Sequence, residues 1–371
     1  MGVEEENILN SGPPSNLEEG LKSLQITSEA GKTETNTDAA STIAADGSQI
    51  DDVPRAEATE AVTDSDRVAA TGNLKIRSKR TERLKRKMLK KTTKKAGSQT
   101  HLFHLPNEVL NNIMSFLLPS DLFRLSRSCR ELHHFIQHNE AFLSREIIAA
   151  RYPILEKCFR LPVPLDEVNP EVHSRLQHPR RVEALAIHRR YQHIPVADYH
   201  HICTCLTCVI RWNALCNVVD FSYWQTNLDK GDPIPMMPRG EKTPEWNQHL
   251  IAQTNEIVSR ALGSPLLHAC ILESHLKNTT AAIKRQSENK GNKRRRFQMT
   301  QTDINSQTDE FLGREGPVTT DLPFHRDNYY MLEAMLPSRT WLKDEQRWVY
   351  IPAEMHERDL EWVATRWQVP V

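Results

Sequence analysis

The sequence predicts a mainly α-helical protein with little β-structure, preceded by a long disordered N-terminal region. Three observations carry this. Residues 1–73 contain no aromatic residue and hold 15 Asp and Glu against 4 Lys and Arg, so they cannot bury enough apolar surface to offset the entropy of ordering. From Leu102 onward, apolar residues recur at three- and four-residue spacing, the period of a helix with one buried face. The strand signal is confined to RTWL and RWVYIP around KDEQ, which reads as one short hairpin.

The formal net charge of zero conceals two opposed blocks. Residues 1–73 carry -11, and residues 74–96 carry 12 basic residues against Glu82, which is +11. The segment 74–98 is expected to be disordered or transiently helical, since Lys, Arg, Leu and Met favour helix but nothing there would form a core. A dense helical module follows at 101–147. Prolines 153, 162, 164, 170 and 179 then mark 148–181 as a Pro-rich linker.

Residues 182–371 are expected to form a second, α-rich domain. Cys208, Trp212, Leu215 and Val219 fall on one helical stripe. A further helix begins near Trp246 and runs to Leu262, with Gly263 past its end; another runs from Leu266 towards Lys284. Residues 284–316, which include KGNKRRR, read as a polar excursion, and a last helix spans about Ala353 to Arg366. No repeat period is present. No run approaches the roughly 18 apolar residues of a membrane span, so a soluble protein without membrane contact is expected. Seven cysteines without a signal peptide fit a reducing compartment.

Within the module, Pro106 suits a first helical position and Asp121 suits the positive end of a second helix. Val109, Leu110, Ile113, Met114, Phe116, Leu117 and Leu118 spread over an arc of roughly 200° at 100° per residue. A helix packed on one side needs only about half of that. The second helix repeats the demand with Leu122, Leu125, Cys129, Leu132 and Ile136. A unit of roughly 45 residues is close to the size below which a domain struggles to bury enough surface alone, so the surplus apolar faces imply a partner or the rest of the chain.

The ordered run Leu105, Pro106, Glu108, Val109, Leu110, Ile113, Phe116, Leu117, Asp121, Leu122, Leu125, Cys129, Arg130, Leu132 resembles the F-box consensus, which opens on Leu-Pro and passes through Asp-Leu to Cys-Arg. Ser126 stands where the family more often has Val, and Phe142 stands near its usual Trp. The CTCLTCVIRWNALCNVVDFSYW segment and the following PIPMMPRG are similar to uncharacterised fungal F-box proteins, which assigns them no role.

The resemblance implies a three-helix F-box. It also implies docking on a Skp-type adaptor, and through it a cullin-RING scaffold, by Leu105, Pro106, Leu110, Ile113, Leu117 and Leu122. The same residues would also serve a purely internal helical hairpin. The function implied is that of a non-catalytic substrate-receptor subunit of a ubiquitin ligase, with residues 182–371 meeting an unknown target protein. The alternative is a nuclear scaffold or nucleic-acid-associated F-box protein acting outside a ligase.

Other chemistry is sparse. Cys205 and Cys208 have the C-x2-C spacing of a zinc knuckle, with Cys203, Cys216, His200 and His201 nearby. No second ligand pair follows, and Cys208 shares a stripe with Trp212 and Leu215. Cys203, Cys205 and Cys208 therefore stand as zinc candidates to which the sequence assigns neither metal nor cofactor.

Lys79, Arg80, Lys85, Arg86 and Lys87, and separately Lys293, Arg294, Arg295 and Arg296, are candidate nuclear signals for a protein of the nucleus and/or cytoplasm. No aromatic residues interleave them, which argues against nucleic-acid contact. There is no phosphate loop, no G-x-S-x-G and no H-E-x-x-H, and no catalytic residue is assigned. His133, His134 and His193 are expected to be exposed or hydrogen-bonded.

Overall fold

The computed structural model describes residue 80 and residues 82–87, 102–185, 193–235, 243–288, 299–314, 325–330 and 339–367. The acidic region 1–73 lies outside the described residues. Of the basic segment, residue 80 and residues 82–87 are helical and exposed. They belong with residues up to Leu105 to one unit, and the described residues from Pro106 onward gather into another.

That second unit is helical apart from one hairpin. Its elements are α1 (Asn107–Ser115), α2 (Pro119–Ser126), α3 (Arg130–Arg151), α4 (Pro153–Cys158), α5 (Pro170–Leu176), α6 (Pro179–Ala184), α7 (Leu206–Tyr223) and α8 (Gln225–Lys230). These are followed by α9 (Glu245–Leu262), α10 (Pro265–Glu288), α11 (Gln301–Ser306), α12 (Phe311–Arg314), β1 (Arg339–Leu342), β2 (Arg347–Tyr350), α13 (Ile351–Glu354) and α14 (His356–Arg366). The expected hairpin is present as antiparallel β1 and β2 with Thr340 opposite Val349. No helix among the described residues is long and apolar enough to cross a membrane.

Helix α7 is the centre of the packing. Its apolar residues were expected to form one stripe, yet residues round its whole circumference are buried, including Arg211, Asn213, Asn217 and Asp220. Such a helix is covered on all sides. Helix α10 packs against α2, α3, α7 and α9, so the first module and the later helices share one core reaching from Met114 and Leu122 to Leu276 and Tyr329.

Residues 148–181 are therefore not a linker between two bodies. Tyr152, Leu155 and Phe159 enter the main core, and Leu165, Val168, Val172 and Leu176 build a smaller one with Cys203, Cys205, Cys208 and Val363. Three of the five prolines that suggested a linker start helices instead: Pro153, Pro170 and Pro179 occupy the first turns of α4, α5 and α6, where a missing N–H costs nothing.

The polar excursion is also shorter than expected. Helix α10 continues to Glu288, and residues 299–314 fold back through a capping box at Thr300 and Asp303 and bury Phe311 and Leu312. The last helix breaks at Met355 into α13 and α14; Val363 is buried, whereas Trp362 is exposed. His193 is buried, not on the surface.

Carboxylates from distant parts of the chain satisfy the orphan N–H groups at helix starts. Helices α2 and α4 have no side-chain cap at their own N-cap residues. Glu273 of α10 accepts from the Ser120 N–H and hydroxyl at the head of α2, both at 2.8 Å. Asp309 accepts from the Ile154 and Leu155 N–H groups of α4 at 2.8 and 2.7 Å. Glu140 of α3 accepts from Leu266 N–H of α10 at 3.0 Å, and Asp359 of α14 accepts from Thr207 N–H of α7 at 2.7 Å. Each joins an anion to the positive end of a helix and ties two distant segments together.

A second tie lies at the far end of α7. Arg326 donates bidentately to the Asp220 carboxylate at 3.0 and 2.6 Å and to Asn247 Oδ1 at 2.9 Å. Its guanidinium carbon lies 5.2 and 5.6 Å from the ring centres of Trp224 and Trp246. The Tyr329 hydroxyl lies 2.7 Å from Asp220 and 2.8 Å from Asn217. Burial works to raise the Asp220 carboxyl, but the paired Arg326 holds it below its ordinary value.

Three measurements test these ties. Glu273→Ala should lower stability by about 1–3 kcal/mol, the cost of orphaning buried donors, and speed amide exchange at Ser120; unchanged exchange there would remove the capping role. Arg326→Ala leaves a buried carboxylate without its counter-charge and should cost about 3–5 kcal/mol in denaturant unfolding. Arg326→Lys should recover only part of that, because an ammonium lacks the planar fork.

Burial lowers the His193 imidazole from its ordinary 6.5 to about 4, against the pull of Asp220. The unfolded chain then takes up the proton first as pH falls, so this contribution is complete above pH 6.5 and is lost on the way down to about 4. The loss is roughly 3 kcal/mol. His193→Gln should flatten the pH dependence of the unfolding midpoint in that window, and an unaltered slope would rule the residue out.

Candidate functional site

The first candidate site is the module at the start of the described chain. Leu102–His104 forms a single 3-10 turn closed by Leu105 N–H to Leu102 O at 3.2 Å. Pro106, extended at φ -54 and ψ 147, leads into α1. Asn111 of α1 donates to Asn139 of α3 at 3.2 Å, and Arg151 donates to Phe116 O at 2.8 Å, which fixes the turn after α1 against the end of α3. Pro119 opens α2, and the turn from Arg127 to Cys129 leads into the long helix α3.

The wide apolar arc of α1 divides into two faces. Leu110 and Met114 are buried within the chain. Val109, Ile113 and Phe116, spaced i, i+4 and i+7, are 43, 42 and 73 % exposed and form an outward apolar stripe. Of the six residues assigned to adaptor contact, Pro106 and Ile113 are exposed, and Leu105 and Leu117 are half-buried. Leu110 and Leu122 are instead turned into the chain's own interior, because α3 packs on α1 and both α3 and α10 pack on α2. Val109 and Phe116 belong to the exposed face and were missing from the assignment; their helical spacing from Ile113 was the available signal. Ser126 is half-buried and donates to Phe123 O, and Phe142 is exposed beneath the Arg145 guanidinium.

Arg80, Lys85, Arg86 and Lys87 are exposed. Lys79, Lys293, Arg294, Arg295 and Arg296 lie outside the described residues.

The second candidate site is assembled from both ends of the C-terminal region. Cys203 precedes α7, Cys205 is its N-cap residue, Cys208 lies in its first turn, and His356 is the first residue of α14. The four are buried, and their ligand atoms all lie within 4.8 Å of one another. His356 Nδ1 is 3.2 Å from Cys205 Sγ and 3.4 Å from Cys208 Sγ. Shared hydrogen bonds from Cys203 and Cys205 hold the Cys208 thiol well below its ordinary value, and the same sharing raises Cys205.

The other residues near the C-x2-C pair do not join this cluster. Cys216 is buried deeper along α7, where burial pushes its thiol up. His200 and His201 are exposed, and His201 Nδ1 pairs with Asp198 at 2.7 Å. His356 had no signal in sequence, since 147 residues separate it from Cys208.

No curated protein and no solved structure matches the chain. One family model does, described as F-box-like and covering residues 102–145. Its bounds coincide with the turn at Leu102, with α1 and α2, and with most of α3. Residues 102–145 of this chain are an F-box-like domain.

Proposed function

We propose that this chain is the substrate-receptor subunit of a Skp-cullin-RING ubiquitin ligase. The observation that carries the proposal is the exposed stripe of Val109, Ile113 and Phe116 beside exposed Pro106 on an F-box-like domain. F-box domains typically bind Skp-type adaptors. An apolar helical face of this kind suits a partner groove that takes up anchors at i, i+4 and i+7. Leu117 would add a half-buried rim to the contact, while Leu110 and Leu122 would support it from within. The chain itself would break no bond. Its contribution would be to hold a target near a ubiquitin-charged enzyme, raising effective concentration and fixing orientation.

We assign target recognition to residues 182–371. Trp341 and Trp348, stacked edge to face with centroids 5.3 Å apart on the hairpin, are 38 and 44 % exposed and are apt anchors for a protein partner. The basic residues Arg80, Lys85, Arg86 and Lys87 support placement in the nucleus and/or cytoplasm.

Affinity purification tests the reading. Replacing Val109, Ile113 and Phe116 together by Ser should reduce adaptor recovery at least about tenfold, with the thermal unfolding midpoint little changed because none of the three belongs to the buried core. Undiminished recovery removes the docking assignment. Recovery of the adaptor without a cullin removes the ligase assignment, and protein half-lives that do not respond to loss of the chain remove the receptor role.

A further inference from the structure

We propose that Cys203, Cys205, Cys208 and His356 are the ligands of a structural zinc ion that fastens α14 to the head of α7. Three thiolates and one imidazole complete a tetrahedral shell, with no position left for water or substrate, which is the make-up of a structural rather than a catalytic site. Around a tetrahedral zinc ion at ordinary bond lengths, such ligand atoms stand about 3.5–3.8 Å apart. The atoms here converge within 4.8 Å, with the two sulfur–nitrogen separations at 3.2 and 3.4 Å. The donor set is too soft for magnesium or calcium, and a single tetrahedral centre with three sulfurs and one nitrogen favours zinc.

Two further features of the cluster point to thiolates. Each sulfur accepts one backbone N–H: Cys203 from Cys205 at 3.4 Å, Cys205 from Cys208 at 3.4 Å, and Cys208 from Val163 at 3.5 Å. Donors converging on sulfur stabilise the metal-bound, charged form and orient it.

The second feature is a pair of buried guanidiniums. Arg181 is bonded to Thr204, between Cys203 and Cys205, and Arg211 follows Cys208 by three residues on α7, and both are buried. Arg181 donates to Leu176 O, Thr204 O and the Thr204 hydroxyl, and Arg211 donates to Pro352 O and Leu161 O, all neutral acceptors. A zinc ion with three thiolates and a neutral imidazole carries a net charge of -1, an anion that buried arginines would neutralise.

The ion would also account for the shape of this lobe. The cluster sits in the smaller core of Leu165, Val168, Val172, Leu176 and Val363, where few large apolar groups are available, and the Thr207–Asp359 hydrogen bond spans the same two helices. A metal cross-link between positions 208 and 356 closes a long loop, the situation in which such a clip is most effective.

Elemental analysis of the purified, reduced full-length chain should find about one zinc per molecule. Cobalt substitution should give the intense visible bands and thiolate charge-transfer absorption of a tetrahedral sulfur-rich site. His356→Ala should weaken zinc retention against a chelator by at least about tenfold, and His356→Cys should restore both retention and the cobalt spectrum. Cys216→Ser and His201→Ala should change neither. Folded wild-type protein that contains no zinc and takes up none on reconstitution overturns the proposal, as does iron in its place. Retention by His356→Ala equal to that of the wild type overturns the fourth ligand even if the cysteine variants fail to fold.

Discussion

The fold depends on carboxylates that cap helices far away in sequence. Helix starts expose N–H groups that must find acceptors once water is excluded, and α2 and α4 bring no side-chain cap of their own. Glu273 reaches α2 and Asp309 reaches α4, while Glu140 and Asp359 add to the heads of α10 and α7. Because each acceptor belongs to a segment more than a hundred residues from its donor, the helix starts are complete only when the tertiary structure is. The capping of α2 by α10 and of α10 by α3 is reciprocal, and it binds the F-box-like domain to the helices that follow it.

That union changes what the F-box-like domain presents. Within the three-helix unit, α3 already covers one flank of α1 and α2. Here α10 packs on α2 as well, and Leu110 and Leu122 are buried within the chain. The other flank keeps Val109, Ile113 and Phe116 in solvent, so the apolar excess of α1 is divided between an interior and an outward face. The shared core also attaches the F-box-like domain to the later helices through packed residues of 148–181.

The two ends of α7 are held by different chemistry. At its C-terminal half, Asp220 is bound by Arg326, a pair whose desolvation is offset by the fork geometry, by Tyr329 and by two tryptophan rings. At its N-terminus, three cysteines and a histidine from α14 converge beside two arginines. Both arrangements bury costly polar groups along a helix that is covered on every side, and both recruit the partner from the last fifty residues of the chain.

The helical class, the F-box order from Leu105 to Leu132, the hairpin around KDEQ and the helix ending at Gly263 were legible in the sequence, because each follows from local periodicity, from a turn signal or from an ordered local motif. What only the tertiary structure decided was which apolar residues face inward and which groups meet across long separations. Leu110 and Ile113 look alike in sequence, and their opposite burial follows from where α3 packs on α1. Pro153, Pro170 and Pro179 read equally as linker residues or as helix starts until the burial of the segments they open distinguishes the two. The cysteines at 203, 205 and 208 were visible as three-quarters of a ligand set, but His356 joins them only because α14 packs across the head of α7, a contact that no local pattern encodes.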